Sequence, residues 1–181
     1  LFAAGLVGSQ GKVLCYEPIK DLFVQVANSK IQNNFTHMDI VNKAIGQDVG
    51  EAKIYINRKN IGASSLYKQS ISVQEETIHI GIAEELATLS KINFIKIDTE
   101  GYEWIVLQTI RSYIEKHKPI VFFEYTPDSY GEIGKVEVLN YFIDMGYLVQ
   151  DVENGYLEVD TPKEWVQSFV KKQTNFLCVP K

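Results

Sequence analysis

FIKIDTEGYEWIVLQ, from Phe94 to Gln108, is the stretch from which the fold of this chain is read. It opens on the apolar run Phe94 to Ile97 and breaks into the polar turn Asp98-Thr99-Glu100-Gly101. Apolar residues then resume at helical spacing, Val106, Ile110, Tyr113 and Ile114, and the helix stops before Pro119. A short apolar strand that feeds a helix through a polar turn is the repeating unit of an α/β sheet. Such sheets take ligands in the crevice beyond the carboxyl ends of their strands, so acids in that turn are candidate site residues. Gly101 adds a position where backbone can approach a ligand closely.

The same grammar extends in both directions. Val13 to Tyr16 reads as a strand, and Ile19, Leu22, Phe23, Val26 and Ala27 follow at helical spacing. Ile40 to Ile45 reads as a strand, Glu51 to Ile56 as a half-exposed one after the turn Asp48 to Gly50, and Glu84 to Leu89 as one or two helical turns. Downstream, Ile120 to Phe123 is another strand, and Val138, Leu139, Phe142 and Ile143 share a helix face that Gly146 terminates. Tyr147 to Val152 and Tyr156 to Val159 flank Asn154-Gly155, which predicts a type I′ hairpin. Thr161, Pro162 and Glu164 predict a capped helix through Val170, and Asn175 to Val179 a last strand. The order implies one α/β domain over residues 1–181: a mostly parallel sheet, helices on both faces, and an antiparallel end.

Composition narrows the function. With 181 residues, 45% of them hydrophobic and 23% charged, the chain can bury a full core without disulfides or structural metals. Lys plus Arg number 18 against 23 for Asp plus Glu, a net charge of -5 with no basic block, which argues against nucleic acid and anionic membrane surfaces as partners. No apolar run approaches a membrane span. Cys15 and Cys178 lie inside apolar runs and read as small buried hydrophobes in a reduced, cytoplasmic protein. The chain begins at Leu1 rather than Met, and the reading therefore expects an opening segment before it.

Three apolar strands end in an acid: VLCYE at Glu17, FIKID at Asp98 with Glu100 beyond it, and IVFFE at Glu124. If the strands share one sheet, the acids gather along one rim. An acid at a strand end accepts hydrogen bonds from both hydroxyls of a ribose in nucleoside-binding folds, and this gives Glu17 its role. The plainer reading makes each acid a turn residue or a helix cap. His37, His79 and His117 fall outside these segments and read as surface or helix-end residues, and Tyr102 and Trp104 as helix packing. Asp98, Glu100 and Glu124 are hard-cation ligand types, yet no His or Cys spacing supports a metal, and none is expected.

With the strands and acids in place, the chain resembles the FkbM family of S-adenosylmethionine-dependent methyltransferases. The resemblance rests on G-K-V-x-x-x-E-P at Gly11 to Pro18, N-K-A-I-G at Asn42 to Gly46, Ala63-Ser64-Ser65-Leu66, K-I-D-x-E-G at Lys96 to Gly101, Ile120 to Glu124, and the pair Gly146-Tyr147. It implies a class I methyltransferase fold, a Rossmann-like sheet of seven strands whose last strand is antiparallel. The family's first strand and its glycine-rich loop, D-x-G-A-N-x-G, do not occur here. Gly5, Gly8 and Gly11 read instead as the end of a helix and the turn into the strand at Lys12.

Carried over by residue, the resemblance implies that Glu17 binds the ribose of S-adenosyl-L-methionine. Pro18 and Ile19 lie beside the adenine, and Lys43 and Ala44 border its ring. Asp98 sits near the methionine portion and the acceptor, Glu100 and Glu124 line the acceptor pocket, and Ser64 and Ser65 cover it. The implied reaction is O-methylation of a small-molecule or sugar hydroxyl, with Asp98 ranked first as base and Glu124 second. An NAD-dependent oxidoreductase would also use an acid such as Glu17, and a non-catalytic fragment would bind no cofactor. Both remain alternatives at this point.

Overall fold

A computed structural model describes residues 1–56 and 74–181 of the chain. Helix α1 (Phe2–Val7) ends at Gly8, whose φ of 63° is the left-handed conformation a glycine supplies, and the chain turns into β1 (Val13–Tyr16). Helix α2 (Lys20–Gln32) leads to β2 (Met38–Val41), which pairs in parallel with β1. Where the sequence predicts one strand over 40–45 there are two, because β3 (Ala44–Ile45) belongs to a different sheet. The break has a cause: the Asn42 amide nitrogen donates to the carbonyls of Glu17 at 2.8 Å and Pro18 at 3.1 Å, which bends the chain around the end of β1.

Strands β4 (Gly50–Ile56) and β5 (Gln74–Gly81) are antiparallel, and β3 adds to β5 in parallel, giving a three-stranded sheet in the order β3-β5-β4. A 3-10 turn at Glu84–Thr88 precedes β6 (Phe94–Ile97). The helix predicted after Gly101 is divided at Ile110 into α3 (Glu103–Thr109) and α4 (Arg111–His117). Strand β7 (Ile120–Tyr125), helix α5 (Gly131–Asp144), β8 (Tyr147–Asp151), β9 (Leu157–Glu158), α6 (Pro162–Ser168) and β10 (Thr174–Pro180) complete the chain.

The main sheet runs β6-β7-β10-β8-β9. Its β6-β7 pair is parallel, whereas β10 is antiparallel to both β7 and β8, and β9 to β8. The expected antiparallel last strand is therefore present, but inside the sheet rather than at its edge. The expectation of one mostly parallel sheet is corrected: the described strands form three sheets, in which parallel and antiparallel pairs mix. No described strand bridges β1 and β6.

Alternation along β7 buries Val121, Phe123 and Tyr125 against Val138, Leu139 and Phe142 of α5, and leaves Phe122 and Glu124 on the opposite face. Rings of Phe123, Phe142, Phe176 and Tyr147 continue this core, and Tyr125 meets Trp165, Phe169 and Phe176 edge to face. Cys178 is fully buried in β10, Cys15 half-buried in β1, and both are free thiols.

Two local expectations fail for stated reasons. The Asn154-Gly155 hairpin is not a two-residue type I′ turn, because residues 152–156 all separate β8 from β9 and the left-handed residues are Gly155 and Tyr156. The Asn154 amide is engaged by Asp151 Oδ2, while Asp151 Oδ1 accepts from Thr174 Oγ1 at 2.7 Å in the buried interior. That network outweighs the local turn preference. Pro162 opens α6 as predicted, but the Thr161 hydroxyl makes no capping bond, and the helix ends at Ser168 rather than running through Val170. Among the described residues no helix is long and apolar enough to cross a membrane.

Candidate active site

The parallel register of β6 and β7 pairs Lys96 with Phe122 and Ile97 with Phe123, so one further step sets Asp98 beside Glu124 at the carboxyl end of both strands. Glu100 joins them from the turn. Carboxylate oxygens of Asp98, Glu100 and Glu124 lie within 4.8 Å of one another. The turn is held in an unusual shape, with Glu100 at φ 54° and Gly101 at φ 99°. An L residue at φ 54° costs free energy, and the surroundings must hold it there.

The three acids differ in environment. Asp98 is exposed and takes an ion pair from Lys96 Nζ at 2.6 Å. Glu100 is half-buried, and burial, then Asp98 and Glu103, push its carboxyl above the ordinary range. Glu124 is the most perturbed. Burial first, then the neighbouring Glu100, Asp98 and Glu103, raise it from the usual 4.5 to about 7, with Lys96 opposing. Its Oε1 accepts from Gln173 Nε2 at 3.0 Å, while Oε2 is shielded from solvent and accepts from no described residue. A carboxyl group poised near neutrality with one unengaged oxygen has the properties of a general base.

Beneath them lies a residue the sequence reading passed over. Glu103, the first residue of α3, is fully buried. Its Oε1 accepts from Thr99 N at 2.8 Å, Thr99 Oγ1 at 2.9 Å and Gly101 N at 3.2 Å, and its Oε2 accepts from Gly101 N at 3.1 Å and Tyr130 Oη at 2.9 Å. The available signal was an acid in the first turn of a helix, which the helix dipole favours at the surface. Nothing in the local pattern marks such an acid as buried.

Glu17 stands apart. Its strand β1 belongs to the two-stranded sheet, so the expected single rim of Glu17, Asp98 and Glu124 is corrected: only the last two share a sheet. Glu17 Oε1 accepts from Ile19 N at 2.9 Å at the start of α2, and its second oxygen accepts from no described residue. Burial raises its carboxyl, the Ile19 bond opposes that, and Glu76 adds to it. Pro18 and the buried Ile19 lie directly beyond it. Lys43 is engaged rather than open: its Nζ meets Glu84 at 2.8 Å and Glu85 at 2.9 Å, and Tyr16 Oη donates to Glu85 at 3.0 Å. Burial works to lower the Lys43 ammonium, but the two glutamates outweigh it and hold it above its ordinary value. Ala44 follows in β3, and Ser64 and Ser65 lie outside the described residues.

These placements bear on S-adenosylmethionine, the cofactor implied by the resemblance. A nucleoside diol needs acceptors, and Glu17 offers a carboxylate at a strand end whose second oxygen is unengaged among the described residues. An acceptor hydroxyl needs a base, and Glu124 offers an unengaged buried oxygen. The acceptor types fit those needs, and they are carried by two separate sheets. The concavity lined by Trp104, Arg111, Glu137, Tyr141 and Met145 lies on the helical face and includes none of these acids.

No curated protein matches the chain. In fold it is similar to a crystal structure of methyltransferase FkbM from Methylobacillus flagellatus KT, with a TM-score of 0.56 and 16% sequence identity. The alignment covers 97% of this chain and 40% of that one, so the chain spans two fifths of the length of the protein it matches. A family model, the methyltransferase FkbM domain, matches residues 1–149, which takes in both acid-bearing turns and stops before β9, α6 and β10. With a match over most of its length, the chain belongs to the FkbM methyltransferase domain family.

Proposed function

We propose that the chain carries the ribose-binding and acceptor-binding elements of an S-adenosylmethionine-dependent O-methyltransferase, acting on a hydroxyl of a small molecule or sugar. Family membership supports methyl transfer over nicotinamide chemistry. The observation that carries the acceptor assignment is the half-buried Glu124, raised to about 7 with one oxygen unengaged beside two further acids. When bound, S-adenosylmethionine supplies a methyl group on a sulfonium, whose departure as a neutral thioether needs little covalent help from protein. What remains for the chain is alignment and proton removal.

The Glu124 carboxylate takes the proton of the acceptor hydroxyl as the new bond forms, and a carboxyl group raised to about 7 is ionised in part of the molecules near neutral pH. Asp98 and Glu100 face the same space and accept from neighbouring hydroxyls, which suits a polyhydroxylated acceptor. Glu17 accepts from the ribose diol, with Pro18 and Ile19 against the adenine and Lys43 and Ala44 at its border. The sequence ranks Asp98 ahead of Glu124 as base. The geometry favours the reverse, since Asp98 is exposed and ion-paired with Lys96.

The test is binding of S-adenosylhomocysteine by calorimetry, followed by labelled-methyl transfer to a panel of hydroxylated metabolites and sugars. Glu124→Gln is expected to lower turnover by roughly 10² with cofactor affinity nearly unchanged, and Asp98→Asn to lower it by less than about tenfold. Near wild-type transfer by Glu124→Gln on a good acceptor returns the base role to Asp98. A wild-type chain that neither binds S-adenosylhomocysteine nor transfers methyl is a non-catalytic module.

A further inference from the structure

We propose that Glu103 is the positioning residue that locks the acid-bearing ends of β6 and β7 into one unit. Its carboxyl group holds the turn after β6 through Thr99 and Gly101 and reaches the segment after β7 through Tyr130. The Tyr130 hydroxyl in turn accepts from Thr126 N at 3.3 Å and stands 3.1 Å from the Glu124 carbonyl. It has one proton, shared between Glu103 Oε2 and that carbonyl, so a single hydroxyl joins Glu103 to the backbone of Glu124 itself.

The consequence is geometric. Glu100 is held at φ 54°, a conformation an L residue leaves unless its neighbours hold it, and the amides on either side of it, at Thr99 and Gly101, are the ones tied to Glu103. A local helix cap would explain the Thr99 and Gly101 bonds alone. It does not explain the Tyr130 bond, which comes from 27 residues away and from the neighbouring strand's turn. Neither carboxyl oxygen of Glu103 faces the space shared by Asp98, Glu100 and Glu124 in a free state, since both are occupied by these donors. Glu103 therefore acts through other residues and touches no reacting atom.

Two variants separate positioning from simple stability. Glu103→Ala removes the whole hub, whereas Tyr130→Phe cuts only the link to β7. In Glu103→Ala, hydrogen exchange at the Thr99 and Gly101 amides should quicken roughly ten- to hundred-fold beyond any change in global opening, as loss of bonds to a charged acceptor predicts. Glu103→Gln should restore most of that protection, since its amide oxygen can serve the Thr99 and Gly101 donors while its nitrogen donates to the Tyr130 oxygen. Tyr130→Phe should leave both amides protected and still separate Asp98 from Glu124, widening in a crystal structure the cluster now within 4.8 Å.

The kinetic arm rests on the methyl-transfer reading above. There kcat should fall roughly 10² in Glu103→Ala and about tenfold in Tyr130→Phe, with the affinity for S-adenosylhomocysteine little changed. A folded Glu103→Ala whose two amides stay protected overturns the proposal. So does a Tyr130→Phe protein in which the acid cluster keeps its spacing. If Glu103→Ala does not fold, the Glu103→Gln and Tyr130→Phe measurements decide. A wild-type chain without transferase activity sinks the functional reading alone, because the exchange and spacing measurements need no substrate.

Discussion

A carboxyl group raised to about 7 imposes two pH dependences of opposite sign. In the unfolded chain Glu124 titrates near 4.5, so between pH 4.5 and 7 the folded state holds the proton more tightly and binds more protons than the unfolded state. Stability is full below that window and is lost as pH rises through it, by at most about 3 kcal/mol for such a shift and less after solvent screening. Denaturant titrations of wild type and Glu124→Gln at pH 5 and pH 8 check this: the substitution should be stabilising at pH 8 and nearly neutral at pH 5. Turnover by the proposed mechanism rises through the same window. Glu17 carries a separate prediction at this scale. Glu17→Ala should weaken S-adenosylhomocysteine binding roughly ten- to hundred-fold by calorimetry, and unchanged affinity in a folded variant removes Glu17 from the site.

At the scale of elements, the N-K-A-I-G segment gains a steric explanation. A Cβ on Gly46 would stand 2.5 Å from Ile80 Cγ2, just beyond the point where β3 pairs with β5. Gly46→Ala should therefore overpack the end of that pairing and cost about 1–3 kcal/mol, read as a lowered urea midpoint with an unchanged slope. A variant as stable as wild type would show that β5 yields at no cost. Continuous apolar runs were legible in the sequence: β1, β6 and β7 begin where Val13, Phe94 and Ile120 predict, because short apolar runs bounded by turn residues favour strands even where, as at Phe94 and Ile120, the first residue stays exposed. Strand β5 was not, since QEETIHIG offers only Ile78 and Ile80 as apolar residues and takes its register from seven pairings with β4. The Asn154-Gly155 turn misled for the reverse reason. A strong local signal lost to a buried network reaching Thr174, twenty residues on.

For the molecule as a whole, the acids at strand ends were visible one by one, but their grouping depends on which strands become neighbours, and no local pattern states that. Asp98 and Glu124 met because β6 and β7 pair, while Glu17 stayed with β2. Glu103 was hidden for a related reason: its partners converge from two turns that only the folded sheet brings together. The order of strands has a last consequence in the thiols. Cys178 lies in β10, hydrogen-bonded on one side to β7 and on the other to β8, and its burial pushes the thiol well above the usual value. An alkylating reagent can reach it only when the centre of the main sheet opens, whereas half-buried Cys15 sits in the two-stranded sheet. Mass spectrometry of the alkylated chain should show Cys15 modified first and Cys178 at a rate that climbs with urea in step with global unfolding. Equal rates in native buffer would mean that β10 frays independently of its neighbours. The chain thus carries its own two-handed clock, one hand for the small sheet and one for the large.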